Sequence, residues 1–245
     1  MEEDIEYHQE QDYEQDYESD SGEVEDYIQQ REWVGQEVLE ENRELSQLII
    51  ENFDNYDLET INVSDIFSLV YMESNFNHQA VSHTWSTWLF QITTNVIEDI
   101  IKHPERYDQD IIDNMLERNW FTHISQLRTS EARLDPRNSL DLGMLYLSRL
   151  EGWNNSLEQY QEEIIENYKE NIYDMVGGYL EEKWVSIEWD KFENLFYDVL
   201  NNPEEQEKFV IFRNYNWDTS ALRGEILEHR YYYAFVVYYM ARYCF

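Results

Sequence analysis

Apolar residues return at helical intervals from Ile28 onward, with Val34, Val38, Leu39, Leu45, Leu48, Ile49 and Ile50 spaced to lie on one side of a helical path against a core. Similar spacing predicts further helices over residues 64–74, 88–102, 108–119, 140–150, 156–175, 189–200 and 222–242. The alternation that marks half-buried strands is scarce, and the whole chain holds only 3 Pro and 7 Gly. An all-α fold is the expectation. Gly177-Gly178 and Asn201-Asn202-Pro203 read as breaks, the second because proline restrains the residue before it and cannot donate a helical hydrogen bond. No internal repeat is visible.

Residues 1–27 break this pattern. They are rich in Asp, Glu, Gln, Tyr and Ser, with no Lys or Arg. So few aliphatic residues cannot offset the entropy of ordering, so a disordered acidic tail is expected at 1–27, followed by one helical domain over 28–245. An interaction tail for an unknown partner and a merely solvating extension both fit this composition.

A formal net charge of −36 and a pI near 4.2 argue against nucleic acid as a partner, because neutralising phosphates requires clustered Lys and Arg. The single cysteine, Cys244, excludes an internal disulfide. His78 and His83 have no companion ligands at metal-site spacing. Asp108, Asp110 and Asp113 lack the glycine and terminal glutamate of a calcium loop, so they read better as a solvated helix start. Neither a metal nor another cofactor is implied. The last helix is nearly free of charge but short, tyrosine-rich and interrupted by Arg242, so it reads as a core helix and no transmembrane segment is expected. No leader with an apolar h-region is visible at the start of the sequence.

The chemistry concentrates in MESNFNHQAVSHTWSTWLFQI, residues 72–92. With Ser64 as N-cap and Asp65 in the first turn, a helix over 64–74 stacks Glu73 above Val70, Leu69 and Ile66. Burial on such a face disfavours the carboxylate and raises the pKa, which suits a general acid working near neutral pH. The same position also fits an ordinary solvated glutamate at a helix end.

Glu73-Ser74, Phe76, Ala80-Val81-Ser82 and Leu89-Phe90-Gln91-Ile92 together resemble the signature of lytic transglycosylases and goose-type lysozymes. Asp135-Pro136, Asn138, Leu142-Gly143 and Tyr146-Leu147 resemble the helix that follows in that family, and Glu228, Arg230 and Tyr232 give a weaker third match. The resemblance implies a lysozyme-like domain acting on peptidoglycan glycan strands at the cell envelope. It implies Glu73 as the single acid and base cleaving the MurNAc–GlcNAc β-1,4 bond with 1,6-anhydro ends, and Ser82 and Gln91 as cleft or substrate-binding residues.

The chain also departs from the pattern. Trp85 and Trp88 stand where the family has two glycines, so either the loop takes another path or the tryptophans line the cleft and stack on sugar rings. Tyr160 is the only remnant of the family's tyrosine-bearing turn and is the candidate helper. A lysozyme-like hydrolase and an inactive glycan- or protein-binding homologue are the competing functions. Export by another route, or phage-encoded or virion-associated delivery, would reconcile a wall substrate with the lack of a visible leader.

Overall fold

A computed structural model describes residues 21–29, 31, 33–77, 79–80, 89–129, 132, 135–152, 159–182, 185–215 and 226–245. Eleven α-helices lie among them: α1 Ser21–Gln29, α2 Trp33–Glu41, α3 Arg43–Phe53, α4 Val63–Ser74, α5 Thr94–Lys102, α6 Gln109–Arg118, α7 Pro136–Glu151, α8 Gln159–Glu182, α9 Trp189–Asn201, α10 Pro203–Tyr215 and α11 Ile226–Tyr243. The described residues contain no β-strand, and the fold is all-α as expected. No described helix is long and apolar enough to cross a membrane.

The centre is built on α4 and α11. Ile66, Phe67, Leu69 and Val70 are fully buried on α4, and α11 buries Ala234 through Met240. Helices apolar on nearly every side belong inside, and α11 packs against α4, α8 and α10. Two devices fix α4. Asn62, not Ser64, is its N-cap: the Asn62 side chain accepts from the Asp65 N–H at 3.2 Å, and Asp65 accepts in return from the Asn62 N–H at 2.9 Å. The N–H groups of Glu59, Thr60 and Ile61 donate to the Glu151 carboxylate at 2.9–3.1 Å, tying the entry of α4 to the end of α7.

Several boundaries differ from expectation. The expected tail boundary at residue 27 falls inside α1, because the Tyr27 ring packs 5.5 Å from that of Phe67 and its hydroxyl lies 2.9 Å from Ser64 Oγ. Residues 1–20 lie outside the described residues. Helix α7 begins at Pro136, because Asp135 caps the Asn138 N–H at 2.8 Å and proline suits the first helical position. Helix α8 runs through Gly177-Gly178 without breaking. The Asn201-Asn202-Pro203 break does separate α9 from α10, and Asp108 caps α6. A Cβ on Gly35 would lie 2.0 Å from the Cys244 carbonyl oxygen, so glycine there lets the end of the chain rest directly on α2.

Candidate active site

Glu73 occupies the last turn of α4, where the chain reverses sharply. Asn75 and Phe76 both take left-handed backbone, with φ of 53° and 59°. Asparagine tolerates this conformation well. Phenylalanine does not, and Phe76 is held there by burial against Phe67 and Tyr71. Ser74 is turned inward, its hydroxyl donating to the Val70 carbonyl at 3.0 Å.

The second wall is Leu89-Phe90-Gln91-Ile92, clamped from two sides. The Leu89 N–H donates to Ser139 Oγ on α7 at 3.2 Å, and the Tyr215 hydroxyl on α10 donates to the Phe90 carbonyl at 2.6 Å. The Phe90 ring rests on Gly143 of α7, where a Cβ would come within 2.4 Å of the ring. Two sequence motifs far apart in the chain therefore meet as one packed contact. Gln91, with φ of 46°, is nearly buried, and its amide donates to the Ala80 carbonyl at 3.3 Å.

Glu73, Phe90, Gln91, Ile92, Thr93, Val96, Tyr146 and Tyr215 line a recess of about 10 Å3, room for a single water. Glu73 is the one carboxyl group lining it among the described residues. The Tyr233 hydroxyl of α11 donates to Glu73 Oε1. Burial pushes the Glu73 carboxyl up to about 7 from an ordinary 4.5, against the opposing pull of this hydrogen bond. The hydroxyls of Tyr233 and Tyr215 are driven well above 10, first by burial and then by the nearby Glu73 charge, so both stay protonated as donors.

The structure thus places Glu73 and Gln91 on one recess. Ser82, Trp85, Trp88, His78 and His83 lie outside the described residues, as does the side chain of Tyr160, whose backbone belongs to α8. Of the third sequence match, Tyr232 packs its ring 6.2 Å from that of Tyr179, while its neighbour Tyr233 turns to Glu73. Local spacing did not reveal Tyr233, 160 residues away from Glu73. The available signal was chemical, since a tyrosine inside an uncharged core helix needs a partner for its hydroxyl.

The Asp135-Pro136-Arg137-Asn138 segment has a supporting role. Asn138 is fully buried and exchanges amide hydrogen bonds of 2.8 Å with Asn119, donates to the Ala132 carbonyl at 2.7 Å and accepts from Arg118 at 2.7 Å. This fixes the start of α7, and with it Gly143 and Tyr146 at the recess.

No curated protein and no solved structure matches the chain. The Transglycosylase SLT domain matches residues 53–179, which run from the end of α3 through α4, the Phe90 wall and α7 into α8. The chain belongs to the transglycosylase SLT family, whose lysozyme-like, all-α domain is that of lytic transglycosylases acting on peptidoglycan.

Proposed function

We propose that this protein cleaves the β-1,4 bond between N-acetylmuramic acid and N-acetylglucosamine in peptidoglycan, with Glu73 as the only protein acid and base. The supporting observation is that Glu73 is the one carboxyl group among the described residues lining a largely apolar recess, pushed up to about 7 and bonded by the Tyr233 hydroxyl. Glycosidases that work with two protein carboxylates place the second across the scissile bond. A single group fits a route in which the substrate supplies the nucleophile.

Protonated Glu73 gives its proton to the glycosidic oxygen as the C1–O bond breaks, and the departing sugar leaves with a hydroxyl. The Glu73 carboxylate then takes the proton of the muramic 6-hydroxyl as O6 bonds to C1, which closes the 1,6-anhydro ring and restores the acid. No water is consumed. Tyr233 keeps Glu73 oriented and steadies the carboxylate between the two transfers, and Gln91 holds the cleft wall.

The room for one water beside Glu73 favours hydrolysis as the second reading. Mass spectrometry of products from purified peptidoglycan separates the two. Anhydro ends from the wild type, with at least a thousandfold loss in a folded Glu73→Gln protein, are expected. Glu73-dependent reducing ends would make it a hydrolase, and undiminished cleavage by Glu73→Gln would remove Glu73 from the mechanism.

A further inference from the structure

A second and larger cavity, of about 400 Å3, lies among α6, α7 and the turn that follows α3, and shares no lining residue with the Glu73 recess. Asp110, Asn114 and Arg118 follow at four-residue intervals along α6, so they form one stripe along its wall. The stripe runs from acid to base over about 12 Å, at 1.5 Å per residue. Asp108 joins Asp110 at the acidic end.

At the other end, Arg118 and Arg137 share a single buried carboxylate, Asp141. Arg118 Nη2 lies 2.5 Å from Asp141 Oδ2, and Arg137 Nε lies 3.3 Å from Oδ1. Arg137 Nε is itself buried, and its approach to Asp141 lacks hydrogen-bond geometry. Arg118 bonds through one nitrogen alone, so most of the ten N–H donors on these two guanidinium groups are left over. One carboxylate also leaves their combined charge half neutralised. One buried donor without an acceptor, Arg137 Nε, beside the exposed and only partly used guanidinium of Arg118, points to an anionic group at this end of the polar cavity.

We propose that this cavity binds a short peptide with a free ammonium group at the Asp108 and Asp110 end and a free carboxylate at the Arg118 and Arg137 end. A tripeptide spans roughly 10 Å when extended, which matches the separation of the two ends. The exposed amide of Asn114 lies between them, suited to peptide groups in the middle of the ligand. Free short peptides offer both termini, whereas a stem peptide joined to muramic acid has an acylated N-terminus.

The test is calorimetric titration of the full chain with trialanine, N-acetyl-trialanine and trialanine amide. Trialanine should bind at least tenfold more tightly than either blocked form, and Asp110→Asn and Arg137→Gln should each weaken it by a similar factor. Asp110 is exposed, so its substitution leaves the fold intact. A folded Glu73→Gln protein should bind as the wild type does, which separates this site from the proposed chemistry. Disaccharide-peptide fragments of peptidoglycan carry an acylated peptide N-terminus and should bind as weakly as N-acetyl-trialanine; binding equal to or tighter than that of trialanine would overturn the proposal. No measurable binding of any peptide, or equal binding of free and blocked forms, would overturn the proposal.

Discussion

Glu73 and Asp141 are both acids on the inner faces of helices, and their surroundings are opposite. Glu73 meets apolar side chains and one tyrosine hydroxyl, with no cation lining its recess among the described residues. Asp141 receives the Tyr56 hydroxyl at 2.5 Å and lies against two guanidinium groups. The first environment opposes the charge and keeps a proton available near neutral pH. The second uses the charge to hold the turn after α3 together with α6 and α7. A helix periodicity cannot tell these uses apart, because each acid occupies a position where its helix faces inward. The difference comes from residues far away in sequence.

The largest expected effect breaks the second environment. Asp141→Ala removes the counter-charge of Arg118 and Arg137 and the acceptor of the Tyr56 hydroxyl; because both arginines are partly exposed, the cost falls at the low end of that for a buried pair, about 3 kcal/mol, readable by denaturant unfolding.

Glu73→Gln should do the reverse. A folded pKa of about 7 against an unfolded 4.5 means the folded state binds more protons between these values, so wild-type stability falls as pH rises through that window. Below about 4.5 this penalty is absent, and above about 7 it is complete, with an upper bound of about 3 kcal/mol. The Gln variant should therefore gain stability over the wild type at pH 8 relative to pH 4, and equal pH dependence of the two would break the contrast.

Gly143→Ala tests the clamp on the Phe90 wall. A methyl group forced against the Phe90 ring should cost about 1–3 kcal/mol in thermal unfolding and reduce cleavage more than tenfold by displacing Gln91. Tyr233→Phe is the mildest change, about 1 kcal/mol. The lost hydrogen bond favoured the Glu73 carboxylate, so its pKa should rise and the alkaline limb of the pH–rate profile should move to higher pH. A downward move would contradict the assigned role.

Much of the scaffold was legible in the sequence. Apolar spacing located α4, α6 and α9, and the Asn201-Asn202-Pro203 break stood where proline chemistry puts it. The start of α7 was read too late because its first turn is capped by Asp135 and Pro136 rather than marked by apolar residues. Gly177 misled for a packing reason: a Cβ there would crowd Ile187 at 3.1 Å, so its small size suits close contact with the segment leading to α9 rather than a break. Glu73 was legible from its own helix, whereas Tyr233, Tyr215 and the Gly143 support become neighbours only through tertiary packing, which local spacing does not encode.

The most direct test of a carboxyl group kept protonated by its apolar recess is a titration of Glu73 by carbon-13 NMR, using side-chain-labelled glutamate and the Glu73→Gln protein to assign its resonance. The account predicts a midpoint near 7, well separated from exposed glutamates. A midpoint near 4.5 would contradict it, leaving Glu73 a solvated helix-end residue without a proton to give at neutral pH.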